Sequence, residues 1–228
     1  GMPHMVYTTT IREAIGLPEY DGWAAVVRTP QELVTIAFAV HGDNARNIGR
    51  DTRDVFAEMS FEDAESFYHA LQSAIEAVEQ KGCTLSLAAV SQFPDQTPAF
   101  ATYNGAILLR RDGEIGSVLR SDAALEMRLG QLQVGDTQIL LTEQAKSFGE
   151  DIRLKLDQGF DMQSIVESLI RTLRASSSSA RSAITVVDVG EQTELVPAQH
   201  EEEDSQDISE EVATDDSSTA AQAPVITS

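Results

Sequence analysis

The sequence predicts an α+β fold: a four-layer α/β/β/α sandwich of two antiparallel sheets flanked by helix pairs. The first observation is the order of patterns along the chain, which runs strand, strand, helix, helix, several strands, helix, helix, strand. The second is the short turn sequences between the middle strands, which indicate antiparallel hairpins and exclude a doubly wound parallel sheet. Paired helices outside two such sheets would bury the outer face of each sheet.

The strand predictions rest on apolar alternation and on residues that favour extended backbone. The segments are 23–27, 34–40, 83–90, 99–103, 106–111, 115–119, 138–142 and 183–189. Asn104 and Gly105 separate two of these segments, and this dipeptide is typical of a two-residue hairpin. The sequence therefore predicts a hairpin of 99–103 with 106–111, and a second turn at Asp112-Gly113.

Two helices are predicted from apolar residues that recur at helical spacing. The first covers 61–80, with Ser60 as its N-cap and Gly82 beyond its end. The second covers 162–174 and begins behind Asp161. Weaker patterns predict further helices over 45–58 and 149–158.

The charge is unevenly distributed. The net charge is −21 and the hydrophobic content 42%, and residues 191–228 hold acidic side chains with no Lys or Arg. A segment so poor in large apolar residues cannot offset the entropy lost on ordering. We therefore expect a folded domain over 1–190 and a disordered acidic tail over 191–228. The acidity argues against nucleic acid and anionic membranes as partners.

The cysteine content and the hydropathy pattern favour a cytoplasmic protein. The lone Cys83 excludes an internal disulfide, and we expect it to be a small buried residue rather than a nucleophile. No apolar run is long enough to span a bilayer, and no basic segment followed by an apolar one opens the chain.

Five segments, in their order and spacing, resemble the metal-dependent serine/threonine phosphatase family, known as type 2C or PPM. They are FAVHGDNARNIGRDTRDVFAEM (38–59), GCTLSLAAV (82–90), ATYNGAILLRRDGEI (101–115), VGDTQILLTEQ (134–144) and ARSAITVVDV (180–189). The resemblance covers about residues 20–189. It implies the same four-layer sandwich and a site for two manganese or magnesium ions, which activate a water to attack phosphorus.

The carboxylates that the resemblance implies are mostly replaced. The aspartate of the first strand falls on Gly42, and Asp43 comes one step late on the chain. Glu143 takes the place of the aspartate in the threonine-aspartate-glycine motif. The final acidic pair falls on Ser182 and Ala183.

A reduced metal site is still conceivable from the sequence. If a site survives, the resemblance implies that Asp21, Asp43 and Glu143 approach one ion. Arg46 would bring a positive charge into the metal loop, and Arg12 or Arg28 is the candidate for the family's phosphate-binding arginine. Glu143 and Ser182 are expected to lie close together, at the ends of neighbouring central strands.

Three functions remain open. The first is a degenerate phosphatase-like domain that serves as a regulatory or binding module, with a phosphoprotein or a regulatory protein as partner and no confident cofactor. The alternative is an active Mn- or Mg-dependent serine/threonine protein phosphatase with a rearranged metal site. The third is a fold relative that hydrolyses or binds another phosphorylated ligand. Whether the protein is an enzyme is left undecided, since function depends on the site.

Overall fold

The computed structural model describes residues 5–93, 97–176 and 179–195. The described residues form two five-stranded sheets. Sheet I has the order β1 (Met5–Ile15), β10 (Ala183–Glu194), β9 (Thr137–Leu141), β6 (Ala106–Arg111) and β7 (Glu114–Arg120). Sheet II has the order β2 (Gly22–Arg28), β3 (Val34–His41), β4 (Thr84–Ser91), β5 (Ala99–Tyr103) and β8 (Glu126–Leu129).

Four helices and three short 3₁₀ helices complete the described part. The α-helices are α1 (Ala45–Glu58), α2 (Ala64–Gln80), α3 (Gly149–Asp157) and α4 (Met162–Ala175). The 3₁₀ helices cover Pro30–Glu32, Gln144–Phe148 and Ser179–Arg181. None of the described helices is long and apolar enough to cross a membrane.

Three apolar clusters define the layers of the sandwich. One joins sheet II to α1 and α2 and is built around Phe38, Phe56 and Phe67. A second joins sheet I to α3 and α4, with Ile139 and Leu169 among its members. The third lies between the sheets. The predicted α/β/β/α sandwich of two antiparallel sheets is therefore confirmed.

Most of the predicted helices and strands agree with the structure. The sequence did not reveal β1 or β8. The predicted N-cap of the first long helix, Ser60, is wrong, because α2 begins at Ala64 behind Asp63. The Asp63 side chain accepts a hydrogen bond from the Ser66 backbone N–H at 2.8 Å, and the Ser66 hydroxyl accepts one from Asp63 N–H at 3.3 Å. This reciprocal capping box fixes the helix start.

The predicted hairpin at Asn104-Gly105 is wrong. β5 pairs with β4 and β8 in sheet II, whereas β6 pairs with β7 and β9 in sheet I. The dipeptide therefore carries the chain from one sheet to the other. The tight hairpin is the next turn, where Asp112 and Gly113 both have positive φ, at 53° and 81°, between β6 and β7.

The last strand extends beyond the predicted domain boundary. β10 continues to Glu194, and the Thr8 hydroxyl on β1 donates to the Glu191 carbonyl at 3.0 Å. Residues 191–194, which the sequence analysis assigned to the tail, are therefore strand. Because residues 196–228 lie outside the described residues, their predicted disorder and the two-part division of the chain stay predictions.

We expect Gly105→Ala to destabilise the protein strongly. A Cβ at Gly105 would lie 2.3 Å from the Leu87 carbonyl oxygen and 3.0 Å from that of Leu141, so backbone of both sheets would have to move. We expect a loss of about 3 kcal/mol in the free energy of unfolding, measured by urea denaturation. Gly116→Ala on β7 is the matched control, since no atom lies within 4 Å of its added Cβ. If the two variants are equally stable, the chain is not tightly packed where Gly105 passes from one sheet to the other.

Candidate functional site

The end of β3, the start of β4 and the segments that follow β9 and precede β10 meet at one small pocket, which we call the cleft. It has a volume of about 50 Å³. Its lining comes from these two strands of sheet II and from the two segments that flank the sheet I strands. The lining residues are Ala39, His41, Thr84, Leu85, Ser86, Glu143, Gln144 and Arg181.

A buried threonine ties the two sheet I strands together beside the cleft. Thr142 is fully buried, its N–H donates to the Ala183 carbonyl at 3.2 Å, and its hydroxyl accepts from Ala183 N–H at 3.0 Å. The same hydroxyl donates to the Arg181 carbonyl at 3.1 Å. Glu143 directly follows this threonine and Ser182 directly precedes Ala183. The predicted closeness of Glu143 and Ser182 at neighbouring strand ends is therefore consistent with the pairing of β9 with β10.

Glu143 presents a carboxylate to the cleft. Its backbone N–H donates to the Ser86 hydroxyl on β4 at 3.2 Å, which links sheet I to sheet II at this point. The side chain is exposed and lines the pocket. Within the described part of the chain, the carboxylate makes neither a hydrogen bond nor an ion pair.

Arg181 is the site residue that the sequence analysis missed. Its side chain packs over β2, because a Cβ at Gly22 would lie 3.2 Å from Arg181 Cγ. The absence of a side chain at Gly22 thus makes room for the arginine stem. Arg181 lines the cleft and forms no ion pair with any residue in the described ranges. A lone arginine after a serine run matches no motif, so packing alone reveals it.

Asp21 and Asp43 lie in two neighbouring turns, one before β2 and one after β3. Neither residue lines the cleft. Both are exposed. The Asp21 carbonyl accepts a hydrogen bond from Gly42 N–H at 3.0 Å and lies 3.1 Å from His41 Nδ1. The Asp43 carbonyl accepts from the Cys83 thiol at 3.2 Å. These contacts use backbone oxygens and organise the two turns.

Gly42 stands where the resemblance implies an aspartate, and its backbone conformation disfavours a side chain. Its φ is +134°, which L residues rarely adopt. A Cβ there would lie 3.0 Å from Cys83 Sγ and 3.1 Å from Cys83 Cα. Cys83 itself is buried. Its burial is the main cause, and the nearby Asp43 charge a second cause, of a raised thiol pKa, as expected of an inert cysteine.

Ser182 and Ala183, which stand in the positions of the final acidic pair, are both buried. Ser182 is 3% exposed and its carbonyl accepts from Gly16 N–H at 3.0 Å, while Ala183 is fully buried. Ala183 belongs to the core between the sheets. An aspartate in either position would bring a charge into a packed strand end, which costs free energy unless the charge is paired.

The arginines proposed from the sequence are engaged elsewhere. Arg12 Nη2 is 3.2 Å from Asp188 Oδ2 on β10. Arg28 lies at the far end of β2, opposite Thr35, and is paired with Glu32 at 3.4 Å. Since Gly22 marks the cleft end of β2, six strand residues place Arg28 about 20 Å from the cleft. Arg46 Nη2 donates to the Pro18 carbonyl at 3.4 Å.

The residues of the cleft do not fit a two-metal centre. Among the described residues that line it, Glu143 supplies the carboxylate and Arg181 supplies an opposing positive charge. In the described ranges, no group of three or more His, Cys, Asp and Glu side chains is arranged to hold a metal ion. Two divalent cations held in oxygen coordination need several carboxylates to balance their charge.

Comparison with known proteins finds the fold among solved structures. A serine/threonine phosphatase from S. agalactiae has a TM-score of 0.57 and 14% identity, over 81% of this chain and all (100%) of that chain. The catalytic domain of serine/threonine protein phosphatase PstP, solved with 2 manganese ions, has a TM-score of 0.59 and 15% identity, over 82% of this chain and 100% of that chain. PppA, a regulatory component of T6SS in Pseudomonas aeruginosa, has a TM-score of 0.60 and 11% identity, over 80% of this chain and 97% of that chain.

The chain therefore has the fold of PPM-type serine/threonine phosphatase domains. This confirms the fold implied by the resemblance in sequence. At such low identity the likeness concerns the fold alone. No family model and no curated protein matches the sequence.

We expect Thr142→Val to destabilise the strand ends that form the cleft. Valine has nearly the same shape but lacks the hydroxyl, so the buried Ala183 N–H loses its side-chain acceptor and the Arg181 carbonyl loses a donor. The expected loss is about 2 kcal/mol in the free energy of unfolding, measured by urea denaturation. Thr142→Ser keeps the hydroxyl and is the control. If the serine variant is as unstable as the valine variant, the Thr142 hydroxyl is not what holds the two strand ends together.

Proposed function

We propose that this chain is a catalytically silent phosphatase-like domain that acts as a binding module for a phosphoprotein or a regulatory protein. The observation that carries the proposal is the composition of the cleft. In the described structure, Glu143 is the carboxylate that lines the cleft and Arg181 the arginine. The fixed positive charge of Arg181 repels divalent cations at a site that has one lining carboxylate to attract them.

The loss of the metal chemistry extends beyond single substitutions. At Gly42 the backbone conformation and the contact with Cys83 both oppose a side chain. At Ser182 and Ala183 the strand end is buried and closed by the Thr142 hydrogen bonds. Restoring the carboxylates would therefore need changes in the backbone and in the packing between the sheets, which argues for a domain adapted to another role.

The remaining groups of the cleft suit an anion better than a metal ion. Arg181 carries a fixed positive charge and a planar set of donors that match phosphate or carboxylate oxygens. His41 and Gln144 line the same pocket and supply further polar groups. A phosphorylated side chain of a partner could be held there without being hydrolysed. The role as a phosphoprotein-binding module follows from this chemistry.

The alternative is an active Mn- or Mg-dependent serine/threonine phosphatase with a rearranged site. Its support is Glu143, whose carboxylate is exposed at the cleft and makes no ion pair with the described residues. Asp43 would have to turn towards the same ion. Water molecules can replace some protein ligands around a hard cation, so a single weakly held ion is the form that this alternative takes.

We expect manganese to have no effect on hydrolysis of p-nitrophenyl phosphate by the full chain. Turnover with manganese should equal turnover with EDTA, and Asp43→Ala, Glu143→Ala and the exposed control Asp51→Ala should all behave as wild type. The PstP catalytic domain serves as the positive control of the assay. Metal-dependent turnover that is lost in both the Asp43 and Glu143 variants, but kept in the Asp51 variant, would establish the alternative.

We also expect phenyl phosphate to bind in the cleft without metal. Titration in EDTA, followed by backbone amide chemical shifts, should perturb residues around Glu143 and Arg181. Arg181→Gln should weaken binding about tenfold, because a charge-assisted contact is lost. Arg50→Gln removes a charge from an exposed position of α1 outside the cleft and should have no effect. Equal binding by both variants would show that the phosphate does not use the cleft.

A further inference from the structure

The two helix layers cover their sheets unequally. The cluster beneath α1 and α2 reaches residues of every strand of sheet II, including Met127 on β8. The cluster beneath α3 and α4 buries residues of β9 and β10, whereas Leu108 on β6 and Ile115 on β7 are only partly buried at its margin. One side of the helix-facing surface of sheet I is therefore left open.

A pocket of about 550 Å³ occupies this open side, which we call the β7 groove. Its floor is apolar and includes Leu108, Ile115 and Leu141. Its size falls within the range of ligand-binding pockets and is ample for one large apolar side chain. The groove shares no lining residue with the cleft, so this inference does not depend on the proposed function.

The rim of the β7 groove is basic, although the chain carries a net charge of −21. Arg120, Lys146 and Arg153 line it, with Glu150 as the acidic lining residue. Lys146 is paired with Asp122 at 3.2 Å and Arg153 with Glu150 at 2.6 Å. Arg120 makes no ion pair or hydrogen bond through its side chain to the described part of the chain. An apolar floor with a free cation at its rim complements an acidic ligand with an apolar side chain.

One wall of the groove is an edge strand, which favours an extended peptide. In the described sheets, β7 pairs with β6 alone, and its residues Ile115, Gly116 and Ser117 line the groove. An extended peptide can add to such an edge through main-chain hydrogen bonds, with alternate side chains pointing to one face. At Val118 the outer edge is already closed, because Arg128 Nη1 donates to the Val118 carbonyl at 2.7 Å. The available stretch is therefore Glu114–Ser117.

We propose that the β7 groove binds an extended acidic segment of a partner protein, with one apolar side chain on the floor and carboxylates at Arg120. Ser117 provides a sharp test. It is exposed, lines the groove and lies on the same face of β7 as Ile115, because alternate residues of a strand point to one face. Ser117→Trp should therefore fill the groove while leaving the fold intact.

The experiment is a selection of random linear peptides displayed on phage against the full chain, followed by binding measurements on the selected peptides after synthesis. We expect peptides with acidic residues around a large apolar residue. Ser117→Trp and Arg120→Glu should each weaken their binding at least about tenfold. Leu129→Trp at an exposed position of β8 and Arg50→Glu on α1 are the matched controls and should bind as wild type. The urea midpoint of each variant verifies that it is folded.

Several results would overturn the proposal. They are failure to enrich any peptide, enrichment of peptides without acidic residues, and equal binding to wild type and Ser117→Trp. Binding of decanoate, tested in parallel, has a separate meaning. If Ser117→Trp weakens the binding of decanoate while no peptide is selected, the groove takes a small anionic amphiphile and the peptide proposal is wrong.

Discussion

The close packing of the two sheets is the constraint on which the rest of the structure depends. The cluster between them is rich in alanine, and its members include Ala24, Ala37, Ala39, Ala88 and Ala183. Small side chains let the two sheets approach closely, and they leave little space where the chain passes from one sheet to the other. Gly105 lies at that passage, against the Leu87 and Leu141 carbonyls. The same closeness brings β3, β9 and β10 to one edge, where the cleft forms.

That packing also explains why the cleft is poor in metal ligands. Ala183 is a member of the inter-sheet core, and Ser182 is buried beside it, so these positions now contribute to stability. Gly42 is similarly confined by Cys83. Arg181, held over Gly22, places a positive charge in the space that remains. The fold of a phosphatase domain is retained, while the described lining of the cleft holds one carboxylate and one arginine.

The sequence predicted most helices and strands because alternation and helical spacing reflect which face is buried. It missed β1, where polar residues such as Thr8, Thr10 and Arg12 weaken the alternation, and β8, which is only four residues long. It misassigned Asn104-Gly105 because a turn dipeptide does not reveal which sheet the next strand joins. At the site, matching by motif placed Glu143 and Ser182 at neighbouring strand ends, and the pairing of β9 with β10 is consistent with this. It could not find Arg181, which depends on packing between distant segments, or the open side of sheet I.

The central claim is that the cleft is built for an anion and not for a two-metal centre. The most direct measurement is a crystal structure of the full chain grown with manganese, with anomalous diffraction recorded at the manganese absorption edge. The account predicts no anomalous peak between Glu143 and Arg181. A peak coordinated by Glu143 and Asp43, with Arg181 turned away, would contradict it and would make the domain a metal-binding phosphatase.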